Sequence, residues 1–136
     1  MTPRCQDIGK MLQSLAQDAS ASVARAIKDV ANEFIISGGY GSARMHAVVD
    51  EKITKVFRSA VNAMTKQARR GGSGDELRVL VDTHLSHLID QTIDMRVEQM
   101  GTGKMSSEDT SILCTYLHRD LKRLKDAAVR SLRPEL

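Results

Sequence analysis

The chain has 136 residues, 20 Lys+Arg against 17 Asp+Glu, two Cys and two Pro. That length fits one domain, and 41% apolar with 27% charged residues excludes a disordered chain. Four aromatics, Phe34, Tyr40, Phe57 and Tyr116, are too few for a stacking platform that binds sugars or single-stranded nucleic acid. Cys5 and Cys114 are far apart and form no disulfide framework, so a reducing compartment is expected. The N-terminus carries no apolar leader and no run is long enough to span a bilayer. The sequence reads as a soluble, cytoplasmic protein without a membrane partner.

Glycine divides the chain. Gly38, Gly39 and Gly41 form one cluster, Gly71, Gly72 and Gly74 a second, Gly101 and Gly103 a third. Pro3 and Pro134 lie at the ends. The clusters predict four proline-free helices at about 2–36, 42–70, 74–100 and 106–132.

The first segment opens with Thr2 before Pro3, a cap followed by Pro at the first helical position. Its stripe is Ile8, Leu12, Leu15, Ala19, Val23, Ile27, Val30 and Phe34. Ala16, Ala24, Ala31 and Ile35 flank it and leave room for another helix. Next comes the loop Ser37-Gly38-Gly39-Tyr40-Gly41-Ser42, ahead of a helix start with Arg44 close by. Such backbone can hold an anion. It lacks the phosphate-loop pattern and follows a helix, so a turn is the plainer reading.

The second segment is capped by Ser42, and its stripe is Met45, Val49, Ile53, Val56, Ala60 and Met64. It closes on Lys66, Arg69 and Arg70, as the helix dipole favours. The third begins with Ser73 and Glu76 at capping-box spacing, with the stripe Leu77, Val81, His84, Leu88 and Met95 beside Leu85 and Thr92. The fourth begins with Ser106 and Asp109 at the same spacing, with the stripe Leu113, Leu117, Leu121, Leu124, Ala128 and Leu132. Apolar gaps of three and four throughout specify helix, and alternation never persists. Long helices joined by short connections predict an all-α, antiparallel up-down-up-down four-helix bundle.

Charge is uneven along the chain. Residues 1–36 are neutral, 37–73 carry net +5, 74–103 net −4 and 104–136 net +2. On a helical wheel Arg44, Lys52, Lys55, Arg58, Lys66, Arg69 and Arg70 share roughly one third of the circumference, opposite the apolar stripe. Asp82, Asp90, Asp94 and Glu98 lie off the apolar face of the third helix. The basic arc is either a solvated face or a track for nucleic-acid phosphates. No helix-turn-helix signature accompanies it, so such binding would be weakly sequence-specific.

The chemistry-bearing pairs are sparse. His46–Asp50, His84–His87–Asp90 and Cys114–His118 each offer two or three groups at helical spacing, which suits metal ligands. A carboxylate-bridged bundle needs Glu-x-x-His on two helices, and the sequence contains none. Cys114 beside the core stripe reads as an inert thiol, and Cys5 has no visible base. The sequence therefore predicts no enzyme, cofactor, metal or small-molecule substrate.

One feature suggests assembly. Val79, Ser86, Ile93 and Met100 are spaced by seven on the third helix and lie off its main stripe, with Val97 beside them. The expectation is a non-enzymatic interaction or assembly module, with a homodimer or helical protein partner held at Val79, Ser86, Ile93, Val97 and Met100. The alternative expectation is a nucleic-acid-binding helical protein using the basic arc.

Overall fold

A computed structural model describes residues 5–72, 74–102 and 105–132. The Thr2–Pro3 cap, the Ser73 cap, Gly103 and the Cys5 side chain lie outside the described residues. Four helices follow in order: α1 Cys5–Ser37, α2 Ala43–Arg70, α3 Asp75–Thr102 and α4 Ser107–Ser131, with no strand among the described residues. The chain is an all-α four-helix bundle. α3 runs through Gly101 and ends one residue later, so the third glycine cluster begins inside the helix.

Local chemistry sets the boundaries. α1 stops at Gly38, whose φ of 81° is the left-handed conformation that glycine adopts without steric cost. The Gly39 N–H donates to Phe34 C=O at 2.8 Å and the Gly38 N–H to Ile35 C=O at 3.3 Å, the paired bonds of a Schellman ending. Ser42 caps α2 by accepting from the Met45 N–H at 3.1 Å, and Ser106 caps α4 by accepting from the Asp109 N–H at 3.1 Å. The N–H groups of Ser42 and Gly41 donate to Gly39 C=O and Met45 Sδ. Four of the N–H donors of loop 37–42, those of Gly38, Gly39, Gly41 and Ser42, are thus used within the protein.

The helices alternate in direction, but they are not arranged around the bundle in chain order. α1 packs on α2 and α3, α4 packs on α3 and α2, and among the described residues α1 makes no contact with α4. The order around the section is therefore α1, α2, α4, α3, with α2 and α3 meeting across the short diagonal. α1 and α3 run parallel, since both start at the same end. A Cβ on Gly71, at the end of α2, would lie 2.6 Å from Leu77 at the start of α3 and 3.2 Å from Ile8 near the start of α1. Only glycine permits three chain segments to meet that closely.

The core is one continuous cluster through all four helices, with Leu12, Val49, Ile53, Phe57, Met64, Val81, Leu85 and Leu121 fully buried. Because α3 has neighbours on three sides, it needs apolar residues around much of its circumference. This corrects the reading of Ser86, Ile93 and Met100 as part of a line directed away from the core. Met100 is fully buried and Ile93 packs against the core cluster. Ser86 accepts from Lys125 Nζ of α4 at 3.2 Å, beside the 2.9 Å Lys125–Asp82 ion pair. Much of the heptad line is the contact of α3 with α4. Val79 and Val97, at 60% and 44% exposure, remain at the surface.

Candidate functional site

Toward the end of the bundle where α2 begins, the helices enclose a charge. Arg96 of α3 is 1% exposed and its guanidinium is held from two helices. Nε donates to Asp50 Oδ1 at 2.9 Å, and Nη1 donates to Gln99 Oε1. Nη2 lies 3.0 Å from His46 Nδ1 and donates to the His46 backbone C=O at 3.3 Å. His46 and Asp50 are one turn apart on α2, and Arg96 and Gln99 are one turn apart on α3, so each pair projects from one face. An arginine cannot accept a hydrogen bond. His46 Nδ1 must therefore be the acceptor, which places the ring proton on Nε2.

This arrangement reassigns the His46–Asp50 pair. The atoms that would have bound a metal hold a guanidinium, and among the described residues no three His, Cys, Asp or Glu side chains converge as a metal site. Burial, then the Arg96 charge, lowers the His46 pKa below its ordinary 6.5. Burial pushes the Cys114 thiol up from 9.0, so it stays protonated at neutral pH and is a poor nucleophile. His118 is exposed, and nothing joins it to Cys114 as a base.

His84 also lies below 6.5, through burial and then the neighbouring His87. It lines a groove against α1 together with Gln13, Gln17, His87 and Gln91. A histidine whose folded pKa is depressed takes up its proton more readily in the unfolded chain. The stability it contributes is present above pH 6.5 and is lost as pH falls through that value toward the folded pKa. The unfolding midpoint should therefore drop between about pH 7 and pH 5, with at most about 1.4 kcal/mol per pH unit from each group. His46→Gln, whose amide oxygen can still accept from Arg96, should flatten this slope in thermal melts. A midpoint constant across that range would contradict the buried, neutral state of His46.

The first half of α4 sits over this cluster with a groove on either side. The α3–α4 groove, about 720 Å³, is lined by Ile93, Val97, Met105, Cys114 and His118 among others. The α2–α4 groove, about 530 Å³, is lined by Ala47, His46, Asp50, Met105 and Leu113 among others. Ile112 and Tyr116 stand exposed on the outer face of the same stretch, at 47% and 52%. Arg119 lies over the Tyr116 ring, 4.8 Å from its centre.

Compared with family models, with characterised proteins and with solved structures, the chain matches none. The reading of function therefore rests on the residues themselves.

The basic arc is intact as a surface. Arg44, Lys52, Lys55, Arg58, Lys66, Arg69 and Arg70 are all exposed, with Glu51 the acidic residue among them. Arg58, Lys66, Arg69 and Arg70 line a further α2–α4 groove of about 850 Å³ at the opposite end of the bundle from Arg96.

Sequence reasoning singled out His46, Asp50 and Cys114 but not Arg96, which holds the first two. The signal was present. Leu85, Ile89, Thr92 and Arg96 follow one another at spacings of four, three and four, so a stripe of buried residues carries a charge. A charge on a buried stripe needs a partner, and the acidic residues of α2 are Asp50 and Glu51 alone.

Proposed function

We propose that the chain is a non-enzymatic helical interaction module that self-associates through its α3–α4 face. The observation that carries this is the open apolar groove where Ile93, Val97, Met105 and Cys114 converge beside a Val97 that is 44% exposed. A side chain from a second copy can complete that groove. A two-fold contact uses each residue twice, and burying one Val side chain stabilises by about 1.5–3 kcal/mol. Val97 is the informative position, since Ile93 and Met100 also hold the monomer together. Light scattering at high concentration should give a dimer for the wild type and a folded monomer for Val97→Asp. A wild-type monomer would overturn the proposal, and a Val97→Asp dimer would remove this groove from it.

A second reading is favoured by the seven exposed basic side chains of α2. The chain would bind nucleic acid through phosphates, with little sequence preference and strong salt dependence.

A further inference from the structure

The second reading treats α2 as a single basic face. The structure sets half of that face against another helix. Arg58, Lys66 and Arg69 line one wall of a groove whose other wall is α4, with Leu124, Ala127 and Ser131. Arg69 Nη2 reaches across to Ser131 Oγ at 3.5 Å. On α4, Arg123 and Arg130 lie four residues before and three after Ala127, and both are exposed. Helical spacing places these two on the rim of α4 that faces away from α3. The small side chains of Ala127 and Ala128 keep that wall low between them.

The charges here are unspent. Arg58, Lys66, Arg69, Arg70, Arg123 and Arg130 form no ion pair among the described residues. The acids of this part of α4 are engaged locally, Asp120 with Arg119 and Asp126 with Lys125, each at 3.7 Å. At about 1.5 Å rise per residue, Arg58 to Arg70 spans about 18 Å and Arg123 to Arg130 about 10 Å. The groove is thus an elongated trough with cations on both edges. Among the described residues that line it none is aromatic, so they offer nothing for unstacked bases and suit the backbone of a duplex.

We propose that this trough is a two-rimmed site for the phosphodiester backbone of double-stranded nucleic acid, with Arg123 and Arg130 of α4 supplying the second rim. The inference rests on the nucleic-acid reading of α2, and its test separates the two. A short labelled DNA duplex is titrated with the full chain over a salt series, read by fluorescence anisotropy. Arg58→Gln with Lys66→Gln should weaken binding at least about tenfold, and so should Arg123→Gln with Arg130→Gln. The α4 pair should also flatten the salt slope by about two, one for each lost phosphate contact. Arg25→Gln with Lys28→Gln removes two exposed charges from α1, the helix diagonally across the bundle from α4, and should leave binding unchanged.

If the α2 pair weakens binding and the α4 pair does not, the two-rimmed trough is wrong and the α2 reading stands. Equal losses in all three variants would show a general charge effect and overturn the site. Retention of inorganic polyphosphate with no duplex binding would overturn the assignment to nucleic acid. Absence of wild-type binding at low salt would remove both readings.

Discussion

Arg96→Ala is expected to destabilise the bundle by about 3–5 kcal/mol, because removing one partner of a buried charge pair strands the other. Four hydrogen bonds from one guanidinium are lost together: to Asp50, to Gln99 and two to His46. Asp50 keeps 29% exposure and can regain some water, whereas His46 is 5% exposed and its acceptor nitrogen cannot. A void the size of an arginine also opens between α2 and α3. Chemical denaturation of the single and double variants with Asp50→Ala gives a coupling energy, since the partners share one network. Arg96→Met with Asp50→Ala should recover part of the loss, because an apolar side chain of similar length refills the space. A change below about 1 kcal/mol in Arg96→Ala would mean that the guanidinium does not hold α2 to α3.

Phe57→Ala is expected to cost about 3–5 kcal/mol. Phe57 is fully buried in the core cluster, near the middle of α2, which like α3 touches all three other helices. Its neighbours Ile53, Ala60, Val61 and Met64 lie on the same side of α2 and are buried too. They are anchored by their own helix and can close only part of the cavity. The loss should appear as a lower denaturant midpoint with an unchanged slope, since the unfolded chain exposes almost the same surface. A loss near zero would place Phe57 at the surface and rotate α2.

The four helices were legible in the sequence because glycine clusters and 3–4 apolar spacing point to the same boundaries. Ser42 and Ser106 each form the cap expected of them. The order of the helices around the bundle was not legible. Up-down alternation follows from short connections, but it does not say which pair closes the square. That choice rests on close approaches such as Gly71 against Leu77 and Ile8. The same gap explains the misplaced heptad line. On a wheel, a second stripe on α3 looks spare until α4 occupies it. Lys125, an ordinary surface residue by type, proves to be the partner of Ser86 and Asp82. Its charge matters there: the hydrogen bond from Lys125 lowers the Asp82 pKa. The basic arc of α2 was read correctly as exposed because charges opposite an apolar stripe stay in contact with water. Its second rim on α4 depends on tertiary packing and could not be read from α2 alone.

Contact through the α3–α4 face is the claim on which the functional account depends. Amide hydrogen exchange of the wild-type protein across a range of concentrations tests it most directly, because it reads both association and location. Protection should rise with concentration in the segments around Val97 and residues 107–115, and α1 should exchange at the same rate throughout. Exchange independent of concentration along the whole chain would contradict the account.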